Sequence, residues 1–261
     1  MAGVNIRGLF QSRGGHRVGM EDMISHETTA VFAPVQFADD FNGSDLVIPA
    51  AGAAESGCKW TKKIVGTTTV AGVASLPGGI VACTLDATDE KQEAVLAMND
   101  QCVFPMNDAA TAAQGRGLIF EARACLRIIP TTETAVAAKA YFGMAGVWAD
   151  GISARRMLFR AEGAGSGLIY LSTDDNSLDS GLISSGVTLS ADVYRVFRID
   201  ASNPANVLFY IDGLRVGAAT TFNMSSTAGL VLQPYAGVYK VNKAGIGTLY
   251  IDYIRVWHNR A

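Results

Sequence analysis

Charge is in short supply in this sequence. Lys, Arg, Asp and Glu make up 17% of the residues, 21 basic against 24 acidic, for a formal net charge of −3. A balance so close to neutral argues against wholesale binding to a nucleic-acid backbone. Long apolar runs are missing as well. None approaches the roughly 18 residues needed to cross a membrane, and the N-terminus lacks the apolar core of a secretion signal. Histidine occurs only as His16, His26 and His258, at the extremes of the chain, which argues against a His-based triad or metal cage. Cys58, Cys83, Cys102 and Cys125 form no C-x-x-C pair. Without a secretion signal they read as reduced, mostly buried thiols, and their spacing is wrong for zinc. There is no phosphate loop, no G-x-G-x-x-G ahead of a helix, and almost no helical periodicity.

What is present points to β-structure. Hydrophobic residues reach 49% and glycines number 28, a mixture that suits a turn-rich sandwich. The most informative stretch runs from Val193 to Val216. Val207, Phe209 and Ile211 alternate on one face, and Asp212-Gly213 separates them from Leu214-Arg215-Val216. Asp-Gly between two β-rich runs predicts a type I′ hairpin, because both central residues must take positive φ. Over 117–128, Leu118, Phe120, Ala122, Ala124, Leu126 and Ile128 interleave with Ile119, Glu121, Arg123, Cys125 and Arg127. This period of two predicts a strand with one buried face.

Further short strands are read at 67–74, 80–85, 94–98, 135–146, 157–160, 167–171, 181–183, 230–233 and 247–257, with 86–93 as a polar, exposed connection. Many short strands with frequent turns, no fixed-period repeat and no linker after residue 37 predict an all-β, two-sheet antiparallel sandwich. Residues 1–36 show no such periodicity. They are read as an extended N-terminal arm that orders on a partner, with Ile6, Leu9 and Phe10 as apolar anchors and Arg7, Arg13 and Arg17 on acidic surface. The plain alternative is a tail.

Three pieces then fall into a familiar order. Asp39-Asp40-Phe41-Asn42-Gly43 with Trp60 downstream resembles the opening of the concanavalin A-like lectin/glucanase jelly rolls, a superfamily that includes laminin-G-like modules. Tyr194 to Ile199 followed by Val207 to Gly213 resembles their paired strands with Asp-Gly. Leu249-Tyr250-Ile251-Asp252-Tyr253-Ile254-Arg255-Val256 resembles their closing strand. The resemblance covers roughly 37–258 and implies that, after the arm over 1–36, residues 37–261 form one jelly-roll domain with the first and last strands of the sandwich near each other. The family holds lectins, glycoside hydrolases and virion proteins, so the fold leaves the job open.

The laminarinase-like glucanases of this fold carry Glu-x-Asp-x-x-Glu on one concave strand, and retaining hydrolysis needs two carboxylates about 5–5.5 Å apart. The strand here that most resembles the carrier has Glu121 alone, with Arg123 where the motif needs Asp. Glu121 therefore reads as a cross-strand ion-pair partner, and no catalytic residue or cofactor is expected. Asp174, Asp175 and Asp179 lie in an acidic loop that could hold calcium through oxygen ligands, although it lacks a bidentate Glu at fixed spacing. Trp60, Trp148 and Trp257 read as core rather than as a sugar platform. The resulting expectation is a non-enzymatic bacteriophage virion protein, a capsid decoration or cement component assembled in the host cytoplasm. It would bind the major capsid protein or other virion proteins through its arm and form a homo-oligomer, with no nucleic acid or membrane as partner. The alternatives are a carbohydrate-binding module on a tail or fibre, with glycans as partners, and a degenerate hydrolase.

Overall fold

The computed structural model describes residues 6–11, 17–22, 28–29, 35–42, 48–50, 60–73, 78–101, 103–163 and 166–259. Its strands in chain order are β1 (Ile6–Gln11), β2 (Arg17–Asp22), β3 (Thr28–Thr29), β4 (Val35–Asp39), β5 (Thr61–Val65), β6 (Thr69–Gly72) and β7 (Val81–Leu85). Then come β8 (Gln92–Ala97), β9 (Phe104–Pro105), β10 (Leu118–Ile128), β11 (Thr132–Glu133), β12 (Val136–Ala137), β13 (Lys139–Ala145) and β14 (Arg155–Glu162). The last are β15 (Leu168–Asp175), β16 (Ile183–Thr188), β17 (Arg195–Ala201), β18 (Leu208–Ile211), β19 (Leu214–Val216), β20 (Val231–Lys240) and β21 (Gly247–His258).

Two eight-stranded antiparallel sheets form the sandwich. The first runs β19-β18-β17-β10-β21-β7-β6, with β4 also on β21. The second runs β16-β15-β14-β13-β20-β8-β5, with β9 also on β20. This is the jelly roll that the sequence predicts. The opening and closing strands are neighbours, since Val35 to Asp39 pair with His258 to Ile254. The hairpin at Asp212-Gly213 has φ of 49° and 73°, as a type I′ turn requires. Asp212 also locks its base: Oδ1 accepts the Val196 amide at 2.9 Å and Oδ2 the Arg195 guanidinium at 2.6 Å.

Side chains from the inner faces of both sheets meet in one core. A chain of rings stitches them together. Phe142 of β13 and Phe159 of β14 meet Phe197 of β17 at 4.7 and 5.0 Å, and Phe209 of β18 carries the contact on to Phe222 at 4.9 Å. Offset and edge-on pairs of this kind add about 0.5–1.5 kcal/mol each beyond their buried area. The opening motif is fixed through Trp60, whose Nε1 donates to Asp39 Oδ2 at 3.0 Å and whose ring packs 5.5 Å from Phe37 and Phe41. Pro234 stands in β20 where the ladder on one side passes from β9 to β8, a break in pairing that tolerates a residue with no N–H.

Four details differ from the sequence reading. The segment 1–36 contains an antiparallel sheet of its own, β1-β2-β3. Register shifts between Ile6 and Leu9 and between Phe10 and Gln11 break its period of two, which is why alternation did not reveal it. β10 is buried on both faces as far as Leu126 except at the half-buried Arg123, and Arg198 and Arg255 lie across Glu121 on the outer side. The strand expected at 181–183 starts at Ile183 and runs to Thr188, with Gly181 at φ 69° turning the chain before it. Finally, 86–93 is not exposed throughout: Gln92 and Glu93 are both fully buried.

Candidate functional site

Alternation in the second sheet creates a second, smaller apolar cluster on its outer face. In β8 Ala94 and Leu96 enter the main core, so Glu93, Val95 and Ala97 face outward. The register lines up Val95, Gly237, Tyr141 and Arg160 across four strands, and Tyr235, Gly143 and Leu158 in the next row. Tyr141 and Tyr235 stack at 5.9 Å with planes 21° apart. Gly237 makes room for this, since a Cβ there would stand 3.2 Å from the Tyr141 ring and 2.6 Å from the Ala94 carbonyl oxygen.

The connection between β13 and β14 folds back over these rings as a roof. Trp148 and Ile152 pack on Val95, Ala97, Tyr141, Leu158 and Tyr235, with Tyr239 at the margin. The roof is tied down at several points. The Trp148 amide donates to Asp100 Oδ1 at 2.6 Å, Lys63 Nζ sits 4.5 Å over the Trp148 ring, and Lys91 pairs with Asp150. Gly151 rests against the Tyr239 ring. Beneath the roof Glu93 accepts the Tyr141 hydroxyl at 2.9 Å through Oε1. The Tyr235 hydroxyl is buried and has no hydrogen-bond partner among the described residues, whereas the Gly151 amide and the Trp148 Nε1 are both directed at the Glu93 carboxylate.

This setting controls the proton on Glu93. Burial pushes its carboxyl up to about 7, the nearby Asp150 charge adds to the rise, and the Tyr141 hydroxyl and the Gly151 amide pull the other way. Burial likewise holds the Tyr141 and Tyr235 phenols protonated. A carboxyl that titrates near neutrality in a buried, aromatic nest has the acidity of a general acid. Glycoside hydrolysis needs a second carboxylate opposite it. Among the described residues no strand of this sheet presents two carboxylates at alternate outward positions. β14 instead turns Arg156, Leu158 and Arg160 outward, with Met157, Phe159 and Ala161 in the core.

The residues singled out in the sequence lie elsewhere. Glu121 is on the first sheet, fully buried, accepting the Tyr253 hydroxyl at 3.1 Å with Arg255 at 3.6 Å and Arg198 in register beside it. It is a cross-strand partner, as read. The three acidic-loop residues do come together, but around protein donors. Arg156 bridges Asp174 at 2.8 Å and Asp179 at 2.9 Å. Asp175 accepts the amides of Ser177, Leu178, Ser226 and Thr227. The oxygens a calcium ion would need are thus already engaged in fastening the 174–179 loop. Ile6, Arg7, Leu9 and Phe10 fall in β1 and Arg17 in β2; Arg13 lies outside the described residues, as do Cys58 and Cys102. Cys83 and Cys125 are buried free thiols, and burial pushes them up to about 12 and about 11. Trp60 and Trp257 are core residues, whereas Trp148 belongs to the roof.

Sequence reasoning missed Glu93 and the Tyr141–Tyr235 pair. Extending the 94–98 strand back by one alternate position would have put Glu93 on the same face as Val95 and Ala97. Nothing local announces that a loop 50-odd residues later seals that face.

No protein-family model matches the chain, and no curated protein matches it in sequence. Solved structures do. A native glycosidic hydrolase is similar with a TM-score of 0.53 at 13% identity, covering 89% of this chain and 100% of that one. The Bacillus licheniformis β-glucanase is similar with a TM-score of 0.50 at 14% identity, covering 87% and 98%. At these identities the likeness is one of fold: the sandwich is a concanavalin A-like jelly roll.

Proposed function

We propose that this chain is a non-enzymatic structural protein of a bacteriophage particle, a decoration or cement component that contacts shell protein through residues 1–36 and exposes its jelly roll. The observation that carries the reading is the roofed face. Where a glucanase of this fold needs an open cleft with paired carboxylates, this chain has a sealed apolar cluster holding one acid, Glu93. A surface poor in charge supports work by contact rather than by turnover. So do the large apolar side chains of Leu178, Leu182, Val193 and Leu214, which stand exposed. β16 itself, Ile-Ser-Ser-Gly-Val-Thr, is an edge strand with neither charge nor proline, the kind that accepts another strand. The β1-β2-β3 sheet is hydrogen-bonded to neither sheet of the sandwich among the described residues, as suits a separate attachment element.

The test is a chain beginning at Val35, which keeps β4 on β21. It is expected to melt close to the full-length protein yet fail to sediment with tailless shells or to self-associate. Full occupancy on shells by the truncated chain would move the contact onto the sandwich. Release of reducing ends from β-glucans by the full-length protein would overturn the non-enzymatic reading.

A further inference from the structure

A second site lies at one end of the sandwich, outside the roofed face. There the turn after β8, the near end of the roof, the loop after β15 and the start of β20 enclose an open depression of about 640 Å³. Asp100, Val147, Ser153, Arg155, Asn176 and Val231 are among the residues that line it. That volume falls within the range of small-molecule sites, roughly 300–1,000 Å³.

The floor is rigid. Gln233 is fully buried: its Oε1 accepts the Met98 amide at 2.8 Å, and its Nε2 donates to Asp100 Oδ1 and to the Gly146 carbonyl, both at 3.0 Å. Asn99 and Asp100, at φ 52° and 59°, make the tight turn that brings the Asp100 carboxylate to this hub. One side chain thus fixes three of the segments around the depression before any ligand arrives, which lowers the ordering cost of binding.

The polar groups that remain free define the ligand. Arg155 is exposed and forms no ion pair among the described residues, unlike its neighbour Arg156, which is held by Asp174 and Asp179. An unpaired guanidinium at the wall of a depression is a carboxylate receptor, because its planar fork donates two parallel hydrogen bonds. Asp100 spends Oδ1 on Trp148 and Gln233, and Oδ2 accepts from no described residue. That oxygen repels a second anion and welcomes a hydroxyl. Val147, 58% exposed, and Val231, 36% exposed, supply apolar walls for a carbon skeleton.

We infer that the depression binds a hydroxylated carboxylate of sugar-acid size, its carboxylate on Arg155 and a hydroxyl on Asp100. The site is independent of how the protein is attached to a particle, and binding there requires no reaction.

The test is an NMR titration of the full chain with D-glucuronate, D-glucose and acetate as probes. Glucuronate is expected to perturb the 99–101, 146–155 and 231–233 amides and to bind at least roughly tenfold more tightly than glucose or acetate. Raising the salt concentration should weaken it. Arg155→Gln, at an exposed position, should keep the fold and reduce glucuronate to the level of glucose. Asp100→Asn, which preserves Oδ1 but removes the charge, should narrow the preference for glucuronate over acetate, with acetate bound no more weakly than by wild type. Equal binding of the three probes, glucuronate binding unaltered by Arg155→Gln, or no shifts at these amides at saturating glucuronate would each overturn the inference. Should Arg155→Gln unfold the chain, the wild-type preference among the three probes still decides it.

Discussion

On the outer face of the first sheet, cations alternate with rings and acids. Arg123 pairs with Asp252 and lies 4.6 Å from the Tyr194 ring, Arg198 sits 4.3 Å over Tyr210, and Arg255 sits 4.1 Å over Tyr253 beside Glu121. On the outer face of the second sheet the rings stack on one another, a loop closes over them, and Glu93 sits beneath it. The two faces belong to one fold and differ in how they keep an acid. The first keeps Glu121 among cations, where charge is matched by charge. The second keeps Glu93 among rings, with no ion pair among the described residues, where burial favours the proton. A face of the first kind needs no cover, and a face of the second kind is stable only while its cover stays shut.

The comparison breaks most visibly at Glu121. Glu121→Leu removes the buried acid that Arg255 reaches at 3.6 Å, and removing one partner of a buried pair costs up to about 3–5 kcal/mol. A large fall in the denaturation midpoint is expected; a midpoint like wild type would mean the cations have other outlets.

Glu93 gives the opposite signature, in pH. Its native pKa of about 7 lies above the ordinary 4.5. Below 4.5 the carboxyl is protonated whether folded or unfolded, and the full stability is present. Between 4.5 and 7 the unfolded chain gives up the proton that the folded chain retains. Stability therefore falls as pH rises through this window, by up to roughly 1.4 kcal/mol per unit, and levels off above it. Urea titrations should show this slope in wild type and lose it in Glu93→Gln. Trp148 emission offers a second reading, reporting whether the roof loosens as Glu93 ionises.

A smaller effect is expected at the hairpin that begins the first sheet's edge. Gly213→Val forces a β-branched residue to φ 73° and should cost more than about 1 kcal/mol; an unchanged melting temperature would contradict the turn type. The smallest belongs to Arg127 and Asp192, whose side chains are 51% and 52% exposed. Arg127→Ala should alter stability by no more than about 0.5 kcal/mol, which urea titration can bound.

The fold was legible because its signals are local. Asp-Gly at 212–213 and the alternation over 118–128 each state a turn or a strand within a few residues. The roofed face was not legible, because it depends on contacts distant in sequence: Trp148 over Ala97, and Tyr141 against Tyr235 and Glu93. Glu93 was obscured further by Asp86, Asp89 and Glu90 just ahead of it, which make a strand start look like a solvated loop. The acidic loop was legible as a cluster but not in its role, since the Arg156 that engages Asp174 and Asp179 comes from another strand.

The pairing of β4 with β21 has a mechanical consequence. Val35 stands opposite His258, and the ladder runs from there to Asp39 opposite Ile254. Tension applied between the entry and exit points of the sandwich would load the bonds of this ladder one after another rather than all together, beginning at the Val35–His258 end. β4 should peel away at low force while the phenylalanine-stitched body stays intact. The jelly roll would thus yield at its seam, and recover there, each time the structure carrying it is stretched.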